Sequence, residues 1–293
     1  MTGQSNMQGH GCENNLKYHV ANNPAEFGHL WDASSNSWAT RDDVLINYFS
    51  RKSTQSLGAC GFGVNDARFG PETGIGWTVG DALTDDVLLL KIAWGGRDLA
   101  INFRPPDHPV SCLEAWNRAD CSVNFHQVVD YALDSLANIA TVVPDYANLY
   151  DGYELSGFVF FQGFNDVINQ KKVDQYNDNL YYFMRDMRTY LDAQNLPIVI
   201  GELGMHGDLT TQTASWKPRV QAVRDAQRNA TAFTSNAVVA DTAQYVNWRS
   251  GTCTTPVLPG DAACQCQGYH YYNDAFSYFN AGVSMGNALL SLM

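Results

Sequence analysis

The chain has 293 residues, of which 45% are hydrophobic and 16% charged, the balance of a folded protein with a substantial core rather than a disordered one. A formal net charge of −12 argues against nucleic acid and anionic membrane surfaces as partners, because both are held by Lys and Arg. No apolar run approaches the roughly 20 residues that span a bilayer.

The first patterned stretch is Gly3-Gln4-Ser5-Asn6-Met7, a serine on a glycine-flanked turn. A buried strand of about five or six residues should lead into such a turn. Only Met1 and Thr2 precede it, so the expectation is a first strand truncated from a longer chain. Residues 12–63 read as a long polar excursion carrying Trp31, Trp38 and Tyr48, with no strand of the main sheet. It is either a surface segment with its own small apolar patch or an aromatic wall for a sugar.

Four short runs then read as buried parallel strands: Val87–Ala93, Gly157–Phe161, Pro197–Gly201 and Ala237–Ala240. Their apolar character is continuous rather than alternating, as burial on both faces of a sheet requires. Between them lie helical patterns. Phe125, Val128, Val129, Ala132, Leu133 and Leu136 recur at three and four, as do Val173, Tyr176, Leu180, Phe183, Met184, Met187 and Leu191. A third helix passes through Val220 and Val223, and a last one covers about 274–290. Strand and helix in alternation predict an α/β fold in one domain over 1–293, a doubly wound parallel sheet with flanking helices.

Ligands of such sheets bind beyond the carboxyl ends of the strands. Those places hold Trp94-Gly95-Gly96-Arg97, Gln162-Gly163-Phe164-Asn165-Asp166, Glu202-Leu203-Gly204 and Asp241-Thr242, and Tyr269-His270-Tyr271 precedes the last helix. Acyl transfer by serine needs a base, because a free hydroxyl is a poor nucleophile. It needs donors aimed at the oxyanion, each worth roughly 2.7–4 kcal/mol, and a group that orients the base. A Gly-Gly turn offers close backbone N–H groups, and Gln or Asn offers a side-chain donor.

Gly3-Gln4-Ser5-Asn6-Met7 resembles the nucleophile block of the carbohydrate-esterase branch of SGNH hydrolases, the sialic-acid-specific acetylesterase domain, with carbohydrate esterase family six its close relative. The similarity continues through Phe69–Gly76, Lys91–Leu99 and Gln162–Asp166 to His270. It implies the three-layer SGNH fold, Ser5 as nucleophile and His270 as base. It also implies an oxyanion hole from the Ser5 N–H, the Gly95-Gly96 backbone and the Gln162 and Asn165 side chains. His10, five residues beyond Ser5, is the rival base.

The chain departs from the family at two positions. The Glu often found after Gln-Gly is Phe164 here, and the Asp that other SGNH enzymes place three residues before the histidine is Gln267. Asp166, Glu202 and Asp241 stand at strand ends as substitutes, and a backbone carbonyl is a fourth choice. Glu72 is read as structural, holding a loop with Arg68.

The implied activity is a serine esterase removing acetyl groups from carbohydrate, sialic acid or an acetylated polysaccharide, with no cofactor and no metal. Arg97 and Arg104 are candidates for meeting a substrate carboxylate. The alternatives are a sugar-binding homologue without turnover and a general carboxylester or lipid hydrolase. Cys112 and Cys121 bracket a short loop and Cys253, Cys264 and Cys266 crowd another, a disulfide pattern that favours an exported protein. Cys60 is assigned to the core as a free thiol.

Overall fold

A computed structural model describes residues 1–207, 209–211, 215–246 and 267–293. Its principal sheet has seven strands: β1 (Thr2–Gly3), β2 (Thr40–Tyr48), β3 (Lys52–Gly58), β4 (Val87–Ala93), β5 (Phe158–Phe161), β6 (Ile198–Gly201) and β7 (Ala237–Ala240). They lie in the order β7-β6-β5-β1-β4-β2-β3, all parallel except the antiparallel hairpin partner β3.

Side chains on successive strand residues point to opposite faces, and this divides the core in two. Val159, Phe161 and Val199 face one layer, with Leu16 from α2 (Glu13–Asn22), Ile75 and Val79 from α3 (Glu72–Ala82), and Tyr278, Phe279 and Met285 from the C-terminal helix (Ala275–Leu290). Phe158, Phe160, Ile198 and Ile200 face the other, with Phe125 and Val128 from the helix Val123–Ala137, Leu180 and Phe183 from Gln170–Tyr190, and Val220 and Val223 from Lys217–Ala232. The result is the three-layer α/β arrangement expected of the SGNH type. Among the described residues no helix is long and apolar enough to cross a membrane.

The excursion needs correction. Residues 40–58 supply β2 and β3, two strands of the main sheet. Their signal is alternation, with Val44, Ile46 and Tyr48 buried and the residues between them only partly so, because β3 is an edge strand and its hairpin is polar. Tyr48 is in the core, not on a sugar wall, and Trp31 and Trp38 pack against each other at 5.1 Å. Two smaller departures follow from position. Ala237–Val239 are half-buried because β7 forms the other edge, and Leu133 is exposed on its helix.

β1 occupies the centre of the sheet with two residues. Thr2 and Gly3 pair with Ile92 and Ala93 on one side and with Phe160 and Phe161 on the other. Gly3 has no room for a side chain, since a Cβ there would sit 2.1 Å from the Phe161 carbonyl oxygen. That register is what positions the site.

Candidate active site

Because β1, β4 and β5 run parallel and in register, the residues just beyond Gly3, Ala93 and Phe161 come to one edge. These are the Gln4-Ser5 turn, Trp94-Gly95-Gly96 and Gln162–Asn165. Ser5 begins the short helix α1 (Ser5–Gln8), so its N–H has no intrahelical acceptor. A Cβ on Gly95 would lie 4.0 Å from Ser5 Cβ and 3.1 Å from Gln8 Oε1. Gly96 has φ +72°, a conformation glycine adopts at little cost, and its missing Cβ would lie 3.8 Å from Asn165 Nδ2. Ser5, Gly95, Gly96 and Asn165 are thus neighbours around one point.

Gln162 is not presented to that point. It is buried, and its Nε2 is within hydrogen-bond distance of Asp166 Oδ2 (2.6 Å), Gln4 Oε1 (3.2 Å) and the Arg97 carbonyl (3.3 Å). Its donors are spent inside the protein, so the oxyanion role expected of it does not fit this geometry. Gln4, which motif reading passed over, does the positioning: its Oε1 also accepts from the backbone N–H groups of Gly163 and Asn165, each at 3.2 Å. A glutamine inside the serine motif, directly before the serine, was the available signal.

His270 is 9% exposed and lies in the turn before the C-terminal helix. Asn6 ties that turn to the serine helix, donating Nδ2 to the Tyr269 carbonyl at 3.2 Å while its Oδ1 accepts from Tyr278 at 2.8 Å. The His10 and His270 rings stack. Burial first, then the Arg68 guanidinium, pulls His270 down to about 4. His10 falls to about 3, through burial, then His270, Arg68 and Lys91. Both imidazoles are therefore neutral at ordinary pH.

None of the three substitute carboxylates is left over for His270. Asp166 is buried and accepts from the Leu99 and Ala100 N–H groups at 3.0 and 3.2 Å as well as from Gln162. Burial and the nearby Asp98 carboxylate push it up to about 7. Glu202 pairs with Arg228 and is hydrogen-bonded to Asp241. His270 Nδ1 instead meets Gln267 Oε1 at 2.7 Å.

The arginines divide. Arg97 is exposed beside Gly96. Arg104 is 1% exposed and bonded to Ala100, Asn179, His108 and Val110, so it braces a loop and is withdrawn from substrate. Glu72 is structural as expected, but its ionic partner is Lys91 at 2.6 Å, both fully buried. Lys91 also donates to the carbonyls of Gln8, at the end of α1, and Phe62, and Glu72 accepts from Gly70 N–H. Cys112 and Cys121 form a disulfide and Cys60 is free, whereas Cys253, Cys264 and Cys266 lie outside the described residues.

The profile of a family described as carbohydrate esterase, sialic acid-specific acetylesterase, matches residues 1–248. No curated protein sequence matches the chain. Among solved structures, a protein from Arabidopsis thaliana superposes with a TM-score of 0.61 at 17% identity, covering 99% of this chain and 96% of that one. A carbohydrate acetylesterase from Xanthomonas citri superposes with a TM-score of 0.51 at 13% identity, covering 98% of this chain and 54% of that one. At these identities the likeness shows the fold.

Proposed function

Since this chain belongs to the carbohydrate esterase, sialic acid-specific acetylesterase family, we propose that it removes O-acetyl groups from carbohydrate through an acetyl-enzyme formed on Ser5. The observation that carries this reading is the convergence of Ser5, Gly95, Gly96 and Asn165 beyond three adjacent strands, with the His270 turn tied to the serine helix through Asn6 and Tyr269.

In the first step Ser5 Oγ attacks the acetyl carbonyl carbon and gives its proton to His270 Nε2. The oxyanion is met by N–H donors from Ser5, the Gly95-Gly96 turn and Asn165. Collapse breaks the ester C–O bond, and the sugar oxygen leaves with the proton from His270. Water then attacks the acetyl-serine carbonyl carbon as His270 takes its proton; the Ser5 Oγ–C bond breaks, His270 returns the proton to Ser5 Oγ, and acetate departs. Arg97, exposed at the rim, is available to an anionic or hydroxyl-rich substrate. The disulfide suits an oxidising compartment, so the natural setting of this reading is outside the cytosol.

A second reading draws on one observation: an amide, not a carboxylate, stands behind His270. It makes the chain a sugar-binding homologue without turnover. Ser5→Ala separates the two. The esterase reading expects acetate release from acetylated xylan or acetylated sialic acid by the wild type, none above background by the variant, and a +42 Da acyl adduct on Ser5 trapped at low pH (about one acetyl group). Equal release from both proteins overturns it.

A further inference from the structure

We infer that Gln267 holds the place of the orienting carboxylate: its side-chain oxygen fixes His270 as the Nδ1–H tautomer, so that Nε2 bears the lone pair that serves Ser5. The inference rests on the esterase reading for its catalytic meaning, though not for its geometry. A carboxamide oxygen only accepts, so the 2.7 Å contact between Gln267 Oε1 and His270 Nδ1 requires the proton on Nδ1.

The turn is built to hold that contact. The Gln267 carbonyl accepts from the N–H groups of both His270 (2.8 Å) and Tyr272 (3.0 Å). Tyr271, Tyr272 and Asn273 then take three consecutive positive φ angles of 49°, 58° and 57°. Non-glycine residues adopt such values at a cost that the surroundings must offset. Gln267 therefore anchors a strained turn by its backbone and aims the imidazole by its side chain.

An amide orients without adding charge. A carboxylate at Nδ1 would stabilise the imidazolium and raise the base; Gln267 leaves it unraised. The other groups facing His270 give no compensation, being the stacked neutral His10, the Arg68 guanidinium and the Tyr269 ring at 4.6 Å. Gln267 takes no proton at any step. It is a positioning residue for a weak base that remains neutral in acid, and the arrangement favours turnover at acidic pH over maximal rate at neutral pH.

The test compares wild type, Gln267→Leu and Gln267→Glu as full chains. Turnover is followed with p-nitrophenyl acetate, and the His270 ring nitrogens are read by ¹⁵N NMR, assigned by their loss in His270→Gln. Gln267→Leu should lose kcat by about a hundredfold with KM within about twofold, and should show mixed tautomers. Gln267→Glu should keep activity and move the acid limb of the pH profile up by at least about one unit, since an adjacent anion favours imidazolium. A structural role alone would not move that limb. A wild-type spectrum with the proton on Nε2, or an unmoved limb in Gln267→Glu, overturns the inference. If wild type proves no more active than Ser5→Ala, the esterase reading fails, and the nitrogen spectra alone decide whether Gln267 fixes the tautomer.

Discussion

The imidazoles of His10 and His270 stack face to face, their centroids 3.7 Å apart and their planes inclined by 14°. Both histidines named as candidate bases are thus in one place. His270 Nδ1 meets Gln267 Oε1, and His10 covers one face of the His270 ring.

The stack sets the pH behaviour. His270 lies at about 4 and His10 at about 3 in the folded protein, both below the ordinary 6.5. The native state therefore binds fewer protons than the unfolded chain, so stability is full above pH 6.5 and declines as pH falls from there toward 4. In the esterase reading proposed above, turnover needs His270 as a neutral base. The kcat/KM profile for an acetyl ester should stay level from neutrality down to about pH 5 and fall near pH 4, as a property of the coupled pair. An acid limb between pH 6 and 7 would contradict this.

The Glu72–Lys91 pair is fully buried and braces the end of α1 through Gln8. Lys91→Met strands an unpaired carboxylate in the core and should cost about 3–5 kcal/mol in urea unfolding. The double variant with Glu72→Gln should recover part of that loss, because it removes the stranded charge while keeping an acceptor for Gly70 N–H. Additive losses would show that the two groups do not act as a pair.

Gln4 and Asn165 separate support from chemistry. Gln4→Leu deprives three donors of one acceptor, those of Gln162, Gly163 and Asn165, and should destabilise the fold by at least about 1–3 kcal/mol. Asn165→Ala should leave the unfolding midpoint near wild type and lower kcat by about 10²–10³. An Asn165→Ala enzyme with normal kcat would take Asn165 out of the oxyanion hole.

Much of this was legible in the sequence where a physical signal is local. Strands 87–93, 158–161 and 198–201 announce themselves because double burial removes every polar residue but Lys91, and Ser5, Gly95 and Asn165 because they follow strand ends. The hairpin 40–58 was illegible because an edge needs only alternation, and its outer halves, Thr40–Asp43 and Lys52–Ser56, are wholly polar. The failure at Gln162 has another cause: whether an amide faces a cavity or the core depends on which partners the fold brings, here Asp166 and Gln4 from distant positions. Glu72 was correctly read as structural, but its partner Lys91 lies on a strand that only tertiary packing brings near.

The aromatic surface of the site also differs from the one the sequence suggested. Phe164, in the position where Glu is usual, stacks on Tyr269 with centroids 5.3 Å apart and planes 20° apart, and Tyr269 is 39% exposed. This pair bridges the segment after β5 and the His270 turn. An aromatic face of this kind presents apolar surface to the ring of a pyranose and contributes nothing to an acyl group beyond the ester. Tyr269→Ala should therefore raise KM for acetylated polysaccharide by about tenfold, equivalent to about 1.4 kcal/mol, while leaving ethyl acetate hydrolysis unchanged. The bond that ties the turn to Asn6 uses the backbone carbonyl of Tyr269 and survives the substitution. Parallel losses on both substrates would show instead that the ring supports His270 directly.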